Sequence, residues 1–145
     1  MTRRFYFRFT LALLAALPGS TQKRPNEVVV IVHPSNRFDS LSRSQLNYLY
    51  FRKVSRWPWG AEAEPIDLPA NDTVRREFTR ELLRTAEAHL DTYWIDQRAT
   101  HGLTPPAVVP DPAAAKAFVA AHPGAIGYIP AAALDNTVKV IKVEP

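Results

Sequence analysis

A continuous run of β-branched residues near the start of the chain most constrains the fold. Glu27 to His33 reads E-V-V-V-I-V-H, without the polar alternation of a half-exposed strand. Such a run is typical of a strand buried on both faces, as in the centre of an α/β sheet. Pro34 ends the run. The sequence therefore predicts a central strand with other elements packed on both sides of it.

Helix and strand signals alternate along the rest of the 145 residues, a length that suits one domain. Ser42 and Gln45 have capping-box spacing, Thr85 is a candidate N-cap, and Asp111-Pro112 is a strong helix start. The predicted order is β-α-β-α-α-α-β-β. This order favours an α/β fold with a mixed sheet flanked by helices, spanning residues 27–145.

The first 20 residues have the layout of a secretory signal peptide. Three arginines precede an apolar run from Phe9 to Leu17, and Pro18-Gly19-Ser20-Thr21 breaks the run. An uncleaved N-terminal anchor or a disordered tail is the alternative. With a signal peptide at 1–20 and a linker at 21–26, we expect a periplasmic or secreted protein.

Charge and composition argue against several classes of site. Only 15 basic residues remain against 14 acidic ones once the three leader arginines are set aside, so we expect no nucleic-acid partner. The chain has no cysteine, and its four histidines are scattered, so no metal site is predicted.

Motifs of catalysis and cofactor binding are missing as well. The sequence contains no nucleophile elbow, no P-loop and no dinucleotide fingerprint. His33 ends the predicted central strand, but a single histidine at a strand end is more often a hydrogen-bonded core or rim residue. We predict a protein that is not an enzyme, with no catalytic residue and no cofactor.

Two polar loops follow predicted strands and precede predicted helices, at Pro34–Ser42 and Pro69–Thr73. Ligands of open α/β sheets bind at the carboxyl ends of strands, where backbone amides and a guanidinium can surround an anion. The candidate anion-binding residues are Ser35, Asn36, Asn71, Thr73 and Arg75. The alternative is that the residues from Asn71 to Thr73 only cap the next helix.

The turn Trp57-Pro58-Trp59-Gly60 concentrates two of the three tryptophans. It is either a surface that stacks on a sugar or a partner, or a lid over the core, and the large area that tryptophan buries favours the lid.

Taken together, these segments resemble the short secreted domains that are similar to the substrate-binding component of phosphate ABC transporters. Those domains read roughly V-x-N-P-x-N, S-L-S, I-F-x-G and W-x-D-G. The matching segments are Val30–Asn36, Ser40–Ser42, Tyr50-Phe51, Trp57–Gly60, Arg75–Phe78, Tyr93-Trp94 and Gly124–Pro130. The resemblance implies a single-lobe or truncated type 2 periplasmic-binding-protein fold.

The same resemblance implies a function and shows where this chain departs from it. It implies a solute-binding-like protein for phosphate or another small oxyanion, with a membrane transporter or another periplasmic protein as a partner. However, Asp72-Thr73-Val74 stands where phosphate binders carry a Ser-Gly-Thr turn, and His33 replaces the first asparagine. The alternative function is therefore a secreted protein-interaction module that kept the fold and lost the ligand.

Overall fold

A six-stranded mixed sheet with helices against it forms the body of the protein, as seen in a computed structural model that describes residues 24–145. The predicted signal peptide and the first half of the predicted linker lie outside the described residues. The strands are β1 (Val28–Val32), β2 (Ser40–Ser42), β3 (Glu64–Asp67), β4 (Ala107–Val108), β5 (Ala125–Pro130) and β6 (Lys139–Glu144). The helices are α1 (Arg43–Tyr50), α2 (Thr73–Glu77), α3 (Glu87–His101) and α4 (Pro112–Ala121). The predicted α/β class is confirmed.

Strand β1 lies inside the sheet, whose order is β2-β6-β1-β5-β3-β4. All five of its residues are buried, as the β-branched run predicts. It pairs antiparallel with both β5 and β6, while β2 is parallel to β6, and β3 is parallel to β4 and β5. Strand β1 therefore runs against all five other strands, a direction that the sequence pattern did not reveal.

Local capping signals set the helix starts. In α1 the Ser42 side chain accepts from the Gln45 backbone N–H, and the Gln45 side chain accepts from the Ser42 N–H, so the predicted capping box is complete. Asp111 caps α4, with Pro112 in its first turn. The predicted Thr85 cap is wrong, because Ala86 holds the N-cap position of α3 and makes no side-chain bond there.

The second predicted helix divides into two parts. Helix α2 ends after five residues, and a π-helical segment, Phe78–Leu83, continues the chain. Arg84 then takes a left-handed conformation that turns the chain towards α3. This change of helical pitch brings Phe78, Thr79 and Leu83 into the core while Arg80 stays exposed.

Candidate functional site

The site that the sequence predicts around Arg75 begins at the end of β3. Asp67 is the last residue of β3, and it is buried although it carries a carboxylate. A short turn, residues 69–72, then leads into α2, which carries Arg75 in its first turns. The turn is short enough to bring Arg75 back over the end of the strand that precedes it.

Arg75 makes most of its polar contacts inside the protein. Its Nη1 lies 3.0 Å from Asp67 Oδ2 and donates to the Leu68 carbonyl at 2.9 Å. Its Nη2 lies 3.6 Å from Glu87 Oε2 of α3, and its Nε donates to the Thr79 hydroxyl at 3.4 Å. Only 13% of the side chain is exposed. Two carboxylates at this range compensate the guanidinium charge, and among residues 24–145 only the Nη2 donors make no hydrogen bond.

The Asp67 carboxylate is itself surrounded by donors. Besides Arg75, it accepts hydrogen bonds from the Tyr128 hydroxyl and from the Leu68 backbone N–H at 3.1 Å. A guanidinium, a hydroxyl and a backbone amide are the groups that bind a small oxyanion. Asp67 therefore occupies, as part of the chain, the position of an anion among these donors.

Burial sets the protonation of this cluster. It raises the pKa of the Asp67 carboxyl above its ordinary value, against the opposing effects of Arg75, Tyr128 and the Leu68 amide. Burial also raises the pKa of Tyr128 and of Tyr50, and the Asp67 carboxylate adds to both shifts. Both phenols therefore stay protonated at neutral pH and remain hydrogen-bond donors.

Aromatic packing holds the cluster in place. The rings of Phe78 and Tyr128 stack with centroids 3.8 Å apart, and Tyr50 packs against Phe78 at 4.8 Å. The Tyr50 hydroxyl donates its one proton to the Ile66 carbonyl at 3.0 Å, with the Ile126 carbonyl 3.3 Å away, so Tyr50 links β3 to β5. Buried aromatic rings thus form the wall behind Asp67.

The space beside Arg75 is very small. A cavity of about 10 Å³ is lined by residues that include Asp67, Arg75, Trp94 and Pro106. This volume is close to the minimum that holds one water molecule. A phosphate or sulfate ion does not fit there without rearrangement of the surrounding side chains.

The start of α2 is also occupied by the protein. The Asp72 carboxylate accepts from the Val74 backbone N–H at 2.7 Å, as an N-cap does. The side chains of Asn71 and Thr73 are exposed, and neither bonds to the described part of the chain. Of the two interpretations of this turn, the geometry supports the helix cap.

The other predicted loop holds Ser35 and Asn36. The Ser35 hydroxyl lies 2.7 Å from His33 Nδ1. Asn36 is buried, and its Oδ1 accepts from the Phe38 backbone N–H at 2.9 Å, while its Nδ2 has no partner among residues 24–145. Lys139 donates to the Asn36 carbonyl. The loop is thus held by contacts within it and by a hydrogen bond from β6.

The sheet topology separates the two predicted halves of the site. Val32, the last residue of β1, pairs with Ile126 of β5. Pro65 of β3 pairs with the same Ile126, and Asp67 follows it by two residues in the opposite direction to β1. Because β1 and β3 are antiparallel, the chain leaves them in opposite directions, and their last residues lie two positions apart along β5, roughly 7 Å at the usual rise per residue. Ser35 and Asn36 do not come together with Asn71, Thr73 and Arg75.

Three residues of the Arg75 cluster were not predicted from the sequence: Asp67, Glu87 and Tyr128. The available signal was an acidic residue within the apolar segment Pro65–Leu68. An acid inside a buried strand needs a cationic or hydrogen-bonding partner. The sequence did not indicate that Tyr128, 61 residues away, would supply one of these bonds.

Other kinds of site find no support among the described residues. Residues 24–145 contain no group of three or more His, Cys, Asp or Glu side chains placed to hold a metal ion. Within the same residues, no helix combines the length and apolarity needed to cross a membrane. The Trp57 side chain is 3% exposed, so this part of the tryptophan turn is a lid over the core, as predicted.

Comparison with known proteins supports the fold. No protein-family model matches the chain, and no curated protein does. An ABC-type phosphate transport receptor from Vibrio cholerae has a similar structure, with a TM-score of 0.64 and 21% identity over 80% of this chain and 45% of that one. A phosphate ABC transporter substrate-binding protein with bound phosphate from Clostridium perfringens is also similar, with a TM-score of 0.65 and 20% identity over 80% of this chain and 44% of that one. PstS from Borrelia burgdorferi has a TM-score of 0.62 and 12% identity over 81% of this chain and 47% of that one.

These likenesses confirm the fold that the sequence motifs implied. The chain spans less than half the length of each of these proteins. It therefore has a solute-binding-like fold that corresponds to part of theirs.

Proposed function

We propose that this chain is a secreted protein-interaction module built on the fold of phosphate substrate-binding proteins, and that it does not bind oxyanions through Arg75. One observation carries the proposal. The Arg75 guanidinium is already paired with Asp67 and Glu87, beside a cavity of about 10 Å³. The signal-peptide layout of residues 1–20 supports export, and the lack of catalytic motifs supports a binding role.

Covalent tethering and charge repulsion explain why an external anion would not displace Asp67. The Asp67 carboxylate is covalently attached beside its donors, so it loses no translational or rotational entropy on pairing, whereas a free phosphate ion would. A phosphate in this place would also face the Asp67 and Glu87 carboxylates at short range. The geometry therefore favours the internal pair over any oxyanion in solution.

Calorimetric titration of the purified protein with phosphate and with sulfate tests the proposal. We expect no saturable heat and no rise in melting temperature at millimolar anion, because a ligand stabilises a protein only when it binds the native state. Arg75→Met serves as the matched variant. Saturable binding of phosphate to the wild type that is lost in Arg75→Met would overturn the proposal.

Oxyanion binding is the second candidate function. It is favoured by the likeness to the Clostridium perfringens protein, which is described with bound phosphate. Under this candidate, Asn71, Thr73 and Arg75 would form the site without Ser35 and Asn36, and a membrane transporter would be the partner. The same titration decides between the two candidates.

A further inference from the structure

An apolar groove lies between α1 and the tryptophan turn, on a part of the surface that the Arg75 cluster does not touch. Its volume is about 160 Å³, and its lining includes Phe38, Leu41, Tyr48, Val54, Arg56 and Trp57. Leu41 and Trp57 are buried and form its floor. Tyr48 and Val54 form its walls and are 49% and 41% exposed, although both are large apolar side chains.

The backbone around the groove is well fixed. Helix α1 ends at Tyr50, and Arg52 takes a left-handed conformation that folds the chain back. The backbone N–H groups of Lys53 and Val54 both donate to the Tyr48 carbonyl, at 2.8 and 3.3 Å. These bonds hold the two exposed walls close to each other.

The floor is equally fixed by the tryptophan turn. Trp57 Nε1 donates to the Gly124 carbonyl at 2.9 Å, which ties the indole to the start of β5. The rings of Trp57 and Trp59 stack with centroids 5.3 Å apart, and Phe38 packs against both. The groove is therefore preformed, and a ligand that fills it pays little for ordering the protein.

One cation lines this groove, and two others lie near it. Arg56 lines it directly, Lys53 Nζ lies 5.7 Å from the centre of the Tyr48 ring, and Arg37 lies 5.6 Å from the centre of the Trp59 ring. Within residues 24–145, none of these three cations has a carboxylate within ion-pair distance. Their charges are thus available to a partner.

The positive charge is concentrated in this segment of the chain. Residues 34–60 contain five basic residues and one acid, Asp39. Asp39 already pairs with Lys139 at 2.8 Å. A surface with this charge attracts an acidic partner and speeds its association.

We propose that this groove binds an acidic peptide segment of a partner protein, with one large apolar side chain of the segment inserted between Tyr48 and Val54. The volume matches the size of the ligand, because an apolar cavity of about 150 Å³ accepts one benzene molecule. The carboxylates of the segment then lie beside Arg37, Lys53 and Arg56. This inference rests on the proposed function, for which it supplies the surface and the chemistry of the partner.

Fluorescence anisotropy with three labelled nonapeptides tests the inference on the full chain. The first has a central phenylalanine flanked by four aspartates on each side, the second has alanine at the centre, and the third has lysines in place of the aspartates. We expect the Kd of the first peptide to be lower than that of either control by a factor of about ten or more, since one buried apolar side chain and the flanking charges each contribute to affinity. Its affinity should fall as salt is raised.

Two variants show whether the groove is responsible. Val54→Asp places a negative charge in the wall and should weaken the first peptide about tenfold or more, while Ile95→Asp is the matched control. Ile95 is a 73% exposed apolar residue of α3 that does not line the groove, and its replacement should leave the affinity unchanged. Melting temperatures of both variants confirm that they fold.

Several outcomes would overturn the inference: no binding of the first peptide, equal binding of a control peptide, or equal losses in the two variants. Binding to vesicles with anionic lipids that Val54→Asp abolishes, without peptide binding, would assign the groove to a membrane surface instead. The titration with phosphate separates this failure from that of the proposed function. If the peptide does not bind and phosphate gives no heat, only the inference about the groove fails. If phosphate binds at Arg75 and the groove still binds its peptide, only the statement that Arg75 binds no oxyanion fails.

Discussion

The Arg75 guanidinium and the Asp67 carboxylate form an ion pair in which Nη1 lies 3.0 Å from Oδ2 and both side chains are almost completely buried. Each charge is the main compensation for burial of the other. The residue that looked most able to bind an anion thus binds one that belongs to the same chain. The two residues are only eight positions apart, on either side of the turn that leads into α2.

Removal of Arg75 should destabilise the protein strongly. Arg75→Met leaves the Asp67 carboxylate buried without its cation, and we expect the free energy of unfolding in urea to fall by about 3–5 kcal/mol. The double variant Asp67→Asn/Arg75→Met removes both charges and should recover a large part of that loss. A cycle of the two single variants and the double variant measures the coupling.

Arg80→Met is the control for this cycle. Arg80 pairs with Glu81, but its side chain is 74% exposed, so its loss should cost about 1 kcal/mol or less. If Arg75→Met were no more destabilising than Arg80→Met, the buried pair would not have the energetic role assigned to it.

Local signals explain why much of the fold was predictable from the sequence. The β-branched residues of β1, the Ser42–Gln45 capping box and the Asp111-Pro112 helix start each depend on neighbours within a few residues. Such signals act through backbone geometry and capping hydrogen bonds, and the tertiary structure agrees with them at these three places. The two short strands β2 and β4, with three and two residues, have too few positions to show a period.

The candidate site depends on relationships that no local pattern encodes. The expectation that two loops meet at one edge requires β1 and β3 to be parallel, and strand direction is set by pairing with β5. The bond from Tyr128 to Asp67 joins strands that are far apart in the chain. The sequence singled out Arg75 as a cation that follows a strand end, but its charge alone did not identify its partner.

Gly124 should be intolerant of any side chain. A Cβ at this position would lie 2.0 Å from the Glu62 carbonyl oxygen, and backbone cannot move aside as a flexible side chain can. The Gly124 carbonyl also accepts from Trp57 Nε1 and from the Glu64 N–H. We expect Gly124→Ala to lower the unfolding free energy by about 3 kcal/mol.

Gly102→Ala is the comparison for that variant. Gly102 ends α3 with a φ of +66° and has open space where a Cβ would lie. The cost there is only that of a left-handed conformation, about 1 kcal/mol. Equal losses at Gly102 and Gly124, measured by urea unfolding, would contradict the close approach to Glu62.

The carboxylate of Asp72 should act only as a helix cap. Asp72→Ala removes the bond to the Val74 N–H and should cost about 1 kcal/mol, while Asp72→Asn keeps an acceptor and should cost little. Asn71→Ala is the neutral control, since the Asn71 side chain is exposed and bonds to no described residue. Equal stability of the wild type and Asp72→Ala in thermal unfolding would exclude the capping role.

Asp135 should make stability depend on pH in the acid range. Its Oδ2 lies 2.8 Å from Lys116 Nζ, and Thr137 donates to its Oδ1. The bond from Lys116, followed by those from Thr137, lowers the pKa of Asp135 from 3.8 to about 2. Because the native state favours the ionised form, the stabilisation is present above pH 3.8 and is lost as the pH falls through about 2.

Carboxyl NMR titration of Asp135 measures this shift directly. Lys116→Met removes its largest cause, so the pKa of Asp135 should rise towards its ordinary value in that variant. The difference in unfolding free energy between the wild type and Asp135→Asn should shrink over the same acid range. An unchanged pKa of Asp135 in Lys116→Met would show that Thr137, and not the ion pair with Lys116, lowers the pKa of Asp135.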